Sequence, residues 1–275
     1  GIQEQGFSGA AYWLHSGGVA ITSRILAFPL DQKAWTPQHR KEFEEHQLSA
    51  GAQEALKELC LWEKLKFPPT SDPFIGGMMH DIGKVALIQS YPGLYPIIID
   101  KLKRENWNIS MRAVEHIVAG GAHHNMVGQI LSESWKLGDM LTKVIENHHT
   151  PPADDPFCQL ITLADFAGGY IYPYPKDSEY PMAKILREED MLADAEPPAA
   201  MATTSPAADR GEEGEQSNDA EPGPASGLTP GAAVYNFLPP HLLQQLDIDI
   251  NKLITAARHI KPTVERLTEE IRKSA

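Results

Sequence analysis

Gly76-Gly77-Met78-Met79-His80-Asp81-Ile82-Gly83-Lys84 is the stretch that decides how this chain reads. A histidine and an aspartate adjacent in sequence can give one imidazole nitrogen and one carboxylate to the same metal ion. The carboxylate can also bridge two ions. A single His-Asp pair matches by chance often. Its company here is what counts: His15 upstream, then His124, His148, His149 and Asp165 downstream.

Working outward, the periodicity is helical and strand-like alternation is scarce. A helix is expected from about Ala10 to Ala27, carrying His15. Phe28 to Arg40 reads as a loop, because Pro29 and Pro37 each remove a backbone donor and fix φ. Helical pattern resumes from Leu48 to Leu65 and ends at Pro68-Pro69. Ser71 or Asp72 suits an N-cap and Pro73 a first turn, so the helix they start is expected to carry His80-Asp81. Further helices are expected over Tyr91–Glu105, after Ser110 around Glu115-His116, from His123-His124 to Trp135, from Gly138 to His148-His149, and over Pro156–Gly169 with Asp165. Pro240 to Ser274 is helical again, with Pro262 expected to kink or split it.

The chain has 275 residues, 42% of them hydrophobic, which is enough for a sizeable core. Net charge is −13, which argues against a nucleic-acid or anionic-membrane binder. Much of that acidity lies between about 193 and 233, in ADRGEEGEQSNDAEPGPASG and its surroundings. Such a stretch cannot bury enough apolar area to offset its ordering entropy and is expected to be a disordered insertion. The domain reading is therefore a helical domain over 1–192, the insertion over 193–233, and a C-terminal helical segment over 234–275 packed on the same domain. Cys60 and Cys158 read as two buried, reduced thiols. No run has the length of a membrane span and the start lacks a secretory signal. The first residue is Gly, directly ahead of a motif-bearing helix, which fits a fragment.

Five histidines and two aspartates on or near helices can converge in the core of a bundle. The set suits one or two borderline divalent ions such as Fe, Mn or Zn. With two ions, Asp81 is the natural bridge, and the chemistry is hydrolysis at a phosphoryl centre. Lys84, one turn beyond His80, is placed to reach a substrate phosphate.

The order His15-Ser16, His80-Asp81-Ile82-Gly83-Lys84, Asp165 is similar to the HD superfamily of metal-dependent phosphohydrolases. HHNMVGQILSESWKLGDMLTKVIENHHTP, from His123 to Pro151, resembles the HDOD branch. There a His opens a helix, a Gly follows four residues on, a Trp precedes a turn, and His-His ends the next helix. Tyr12-Trp13-Leu14-His15-Ser16 and Leu163-Ala164-Asp165 fit it too, and the resemblance covers roughly Tyr12 to Ala167. It implies an all-α, HD-type helical bundle. It makes His15, His80, Asp81 and Asp165 the basic metal set, and His124, His148 and His149 the additions of two-metal relatives such as the HD-GYP phosphodiesterases.

Two positions depart from those relatives. Ala11 stands where they place a Glu one turn before His15. Thr150-Pro151-Pro152-Ala153-Asp154-Asp155 lacks the Gly-Tyr-Pro loop, and Gly168-Gly169-Tyr170 lies in the wrong place to replace it. Two functions stay open. One is a metal-binding HDOD-type signal transduction output module acting on a protein partner, in a bacterial cytoplasm. The other is an active phosphohydrolase on a nucleotide or cyclic dinucleotide, with Asp81 and Lys84 as its catalytic residues. Each residue also has a plainer reading: His148-His149 as C-terminal helix caps, Lys84 as a solvated side chain, Trp13, Trp62 and Trp135 as core, and His116 and His123 as surface residues or as supports behind the ligands.

Overall fold

The HDIGK stretch is not the inside of one helix. In a computed structural model, which describes residues 3–4, 7–105, 109–172 and 238–274, α5 (Pro73–Met79) stops at Met79 and α6 (Ile82–Ser90) begins at Ile82. His80 and Asp81 form the joint. Asp72 caps α5 by accepting from the backbone N–H groups of Phe74 and Ile75, with Pro73 in the first turn as expected. Asp81 stands at the N-cap of α6 but makes no side-chain capping bond. Its carboxylate is left for other partners.

Two glycines explain why the joint sits where it does. α1 (Gly9–Leu26) is apolar on nearly every side and lies in the middle of the fold, packed chiefly against α5 and α11 (Pro156–Ile171). A Cβ on Gly77 would fall 2.7 Å from the Cα of Ala20, so only glycine lets α5 lie this close on α1. A Cβ on Gly83 would overlap the carbonyl oxygen of His124 at the start of α9 (His124–Trp135). These close approaches draw the two ends of the joint onto α1 and α9.

The remaining helices are α2 (Pro37–His46), α3 (Ala50–Leu59), α4 (Leu61–Lys64), α7 (Leu94–Arg104), α8 (Met111–Val118) and α10 (Asp139–Asn147), followed by α12 (Pro240–Gln245) and α13 (Ile250–Ser274). Ahead of α1, β1 (Gln3–Glu4) and β2 (Phe7–Ser8) form a two-residue antiparallel pair. The all-α class and HD-type bundle expected from the sequence hold. α13 packs against α1, α3 and α11. The expected insertion over 193–233 lies outside the described residues.

Apolar burial falls into two clusters. One joins the C-terminal half of α1 to α3, α4, α11, α12 and α13, through residues such as Ile25, Leu59, Leu160 and Leu253. The other joins Ala11 and Tyr12 of α1 to α6, α7 and α8, through Leu87, Tyr95, Ile98 and Leu102. His15 lies on α1 between them.

Several sequence expectations are corrected. Pro37 does not extend a loop but opens α2, with Thr36 as N-cap accepting from the His39 N–H at 3.2 Å; proline's missing donor costs nothing at that position. The helix expected over Leu48–Leu65 breaks at Cys60, whose φ is 51°, and Cys60 is exposed while Cys158 is buried. The C-terminal segment breaks at Asp247 (φ 48°), not at Pro262, which stays inside α13. Asp249 restarts the helix by accepting from the Asn251 N–H at 2.8 Å. Trp13 and Trp135 are not core residues: each is 55% exposed.

Candidate metal centre

All seven residues expected as ligands meet at one place. α1 supplies His15, the α5–α6 joint His80 and Asp81, and α9 His124 at its first position. The turn after α10 supplies His148 and His149, and α11 supplies Asp165. His15, His80, Asp81, His124 and His148 are buried, while His149 and Asp165 are half-buried and form the open side of the cluster.

Asp81 is the centre. Its Oδ2 lies 3.4 Å from His80 Nε2 and 3.8 Å from His15 Nε2. Its Oδ1 lies 3.3 Å from His124 Nε2 and 3.5 Å from His148 Nε2. Asp165 Oδ1 is 3.1 Å from His15 Nε2 and 3.4 Å from His80 Nε2. His149 Nε2 is 3.1 Å from His124 Nε2. Three overlapping groups result, each with ligand atoms close enough to share an ion: His15, His80 and Asp81; His80, His148 and Asp165; and Asp81, His124, His148 and His149. Buried clusters of this kind are able to hold a metal ion.

The backs of the imidazoles are fastened. His80 Nδ1 lies 2.7 Å from the Gly77 carbonyl, His148 Nδ1 3.1 Å from the Ile145 carbonyl, and His15 Nδ1 3.3 Å from the Tyr172 carbonyl. A carbonyl can only accept, so Nδ1 carries the hydrogen and Nε2 is the nitrogen turned inward. His124 Nδ1 is held instead by the buried carboxylate of Glu115 on α8, which also accepts from the His124 backbone N–H at 2.9 Å and from the Tyr95 hydroxyl at 2.8 Å. This carboxylate–histidine pairing orients a ring and raises its basicity as a ligand.

Three polar atoms inside the ring, His80 Nε2, His148 Nε2 and Asp81 Oδ1, are buried without a hydrogen-bond partner among the described residues. Unsatisfied buried polar atoms are few in folded proteins and costly. Three that converge, two imidazole nitrogens and a carboxylate oxygen, fit a cation better than they fit one another.

The charge states follow the same geometry. Burial works against a charged His80, yet the Asp81 and Asp165 carboxylates outweigh it and lift its pKa to about 10. For His148 burial dominates and lowers the pKa to about 4. Burial, then the neighbouring His148 and His124, press His149 well below the usual imidazole range. Burial opposes ionisation of Asp81 and Asp165 but loses, to Lys84 and His80 at Asp81 and to His80 and His15 at Asp165; both stay well below the usual carboxylate range.

Lys84 corrects one plain reading. It is not solvated: it is 7% exposed and its ammonium is paired with Asp81 Oδ2. His116 is exposed and His123 half-buried, and neither belongs to the ligand groups. Glu115 and Asn125 were not read as site residues. Asn125 is buried beside His148 and donates to the Ile145 carbonyl at 3.1 Å. The signal for Glu115 was present: a lone carboxylate on the face of α8 that also carries Met111 and Val118.

Residues 32–151 match the family model of the HDOD domain. The matched segment includes His80, Asp81, Lys84, His124, His148 and His149, while His15 and Asp165 flank it. An uncharacterized protein of Treponema pallidum (strain Nichols) is 28% identical over 118 residues, which are 42% of this chain and 22% of that protein. The matched part thus spans about a fifth of that relative's length. No solved structure matches the chain. No described helix is long and apolar enough to cross a membrane. Motif order, bundle and family match agree: residues 32–151 match the HDOD domain, which belongs to the HD-like superfamily.

Proposed function

We propose that this is a metal-binding HDOD-type output module, which passes a state to a protein partner. The observation that carries the reading is the division of Asp81: its two oxygens face different imidazoles, whose Nε2 atoms point inward because their Nδ1 atoms are fastened. The ligands are His15, His80, Asp81, His124, His148, His149 and Asp165, for one or two divalent ions. Nitrogen and carboxylate donors together suit Fe, Mn or Zn. A bound ion would supply Lewis acidity and a fixed cross-link between α1, the α5–α6 joint, α9 and α11. α9 links this centre to the surface: His124 is at its buried start, and Met126, Ile130 and Trp135 are exposed apolar side chains further along it. The net charge of −13 supports a partner that is neither nucleic acid nor anionic lipid. The bacterial cytoplasmic setting rests on the resemblance alone.

A second reading is a phosphohydrolase on a nucleotide or cyclic dinucleotide. The open side at His149 and Asp165 favours it. In that reading Asp81 bridges the ions and Lys84 contacts the phosphate. Ala11 and the missing Gly-Tyr-Pro loop favour the signalling module instead.

Thermal unfolding tests the metal reading. Added Mn²⁺ or Zn²⁺ at a hundred times its Kd is expected to stabilise the wild type by about 2.7 kcal/mol, and not the Asp81→Ala variant. Equal melting of the two with added metal would contradict it. Turnover of bis(4-nitrophenyl) phosphate by the loaded protein, lost in Asp81→Ala, would move the conclusion to the hydrolase.

A further inference from the structure

We propose that a cleft at the other end of α5 from the His80-Asp81 joint is a second binding site. It would take an uncharged, planar heteroaromatic molecule that carries both hydrogen-bond donors and acceptors on its edge. The cleft shares no residue with the metal centre and does not depend on the metal-binding reading. α5, seven residues and about 10 Å long, lies between the two sites.

Shape comes first. The cleft has a volume of about 850 Å³ and lies between the end of α1, α2, α4 and the segment leading into α5. Small-molecule sites commonly have this size. Three rings line it: Phe28 is buried, and His39 and Trp62 are half-buried. His39 stands edge-on to both others, its centroid 5.8 Å from that of Phe28 and 6.3 Å from that of Trp62. A flat ring gains stacking contact in such surroundings. The walls are braced from behind. Arg24 on α1 pairs with Glu42 on α2 at 3.1 Å. The Trp35 indole N–H donates to the Pro29 carbonyl at 2.6 Å, and Ser23 Oγ donates to the Pro73 carbonyl at 2.5 Å, which ties α1 to the start of α5. Little ordering entropy is lost when a rigid ring enters a cleft held in this way.

The polar groups then select the ligand. Arg24 and Lys66 bring two cations to the lining and Glu42 and Asp72 two carboxylates, so the cleft as a whole favours neither an anion nor a cation. Acceptors are left over. Asp72 caps α5 with Oδ1 alone, and Glu42 receives both Gln38 and Arg24 on Oε1. Asp72 Oδ2 and Glu42 Oε2 therefore have no hydrogen bond among the described residues. Donors are left over too. The Thr36 backbone N–H donates to His39 Nδ1 at 3.2 Å, so the hydrogen of that ring is on Nε2. Arg24 uses one guanidinium nitrogen on Glu42. Lys66 is turned to Trp62, its ammonium 2.8 Å from the Trp62 carbonyl and 5.4 Å from the ring centroid. A purely apolar ring would strip water from these groups and give nothing back, and a carboxylate or phosphate would meet Glu42 and Asp72. A neutral ring with donors and acceptors on one edge, as a nucleobase has, answers both kinds of group.

The test is a calorimetric titration of the full chain with adenosine and with guanosine, beside adenosine monophosphate and tryptamine as charged comparators. At least one nucleoside is expected to bind saturably, and more tightly than either comparator. Trp62→Ala is expected to weaken that binding about tenfold or more, and Trp62→Phe to keep most of it. Trp135→Ala, which removes an exposed tryptophan on α9 outside the cleft, should leave it unchanged. No binding of either nucleoside, tighter binding of a charged comparator, or unchanged binding in folded Trp62→Ala would each overturn the inference. If Trp62→Ala does not fold, nuclear Overhauser contacts between the bound nucleoside and the rings of Trp62 and His39 in the wild type support it, and contacts with neither ring overturn it.

Discussion

At the residue scale, the centre depends on what stands behind each ligand as much as on the ligand. Glu115 is the clearest case. It turns His124 inward through Nδ1 and is itself held by Tyr95. Glu115→Gln keeps the shape but removes the charge that strengthens the imidazole. Metal affinity is expected to fall roughly tenfold or more with the fold unchanged; calorimetry on the folded variant checks this, and an unchanged affinity would contradict it. Away from the cluster, His46 reports on pH. It is buried against Phe28, and burial first, then Arg24, lowers its pKa to about 4, against weaker opposite effects of Glu42 and Glu45 and a further lowering by Arg266. The native state therefore binds fewer protons than the unfolded chain between pH about 4 and about 6.5, so this group makes stability rise with pH across that window. His46→Gln is expected to lose less stability on acidification, by up to about 3 kcal/mol between pH 7 and 4. Urea unfolding at several pH values measures the difference; parallel curves for the two proteins would contradict it.

At the element scale, close helix approach builds the site. Gly83 lets α6 touch α9 at His124, where backbone meets backbone and nothing can give way. Gly83→Ala is expected to cost about 3 kcal/mol of stability and to weaken metal binding with it, because the change parts Asp81 from His124. A variant of wild-type stability in urea would show that the helices are not held so near. Pro262 works the other way. It lies inside α13, where a proline forfeits a backbone hydrogen bond. Pro262→Ala is expected to raise stability by about 1–3 kcal/mol, and a lower denaturation midpoint would contradict it.

At the scale of the whole molecule, a polar centre lies between two apolar clusters and is joined to both by α1. The cluster was legible in the sequence because His and Asp are rare on apolar helical faces and recurred at one or two per element. The helices were legible from their periodicity. What escaped was decided by tertiary contact or by local backbone geometry. The helix breaks at Cys60 and Asp247 are left-handed residues that carry no glycine signal. Burial of Lys84 follows from its carboxylate partner, and exposure of Trp13 and Trp135 from which faces of α1 and α9 are covered. The His80-Asp81 joint was read as helix because Ile82-Gly83-Lys84 continues the pattern; the turn between α5 and α6 frees Asp81 to face both sets of histidines. The central claim is that this centre holds metal. Metal content per chain, by plasma mass spectrometry on protein purified without chelator or histidine tag, tests it beside an Asp81→Ala control. The account expects Fe, Mn or Zn at one or two ions per chain in the wild type and none in the control; wild-type protein with no more metal than Asp81→Ala would contradict it.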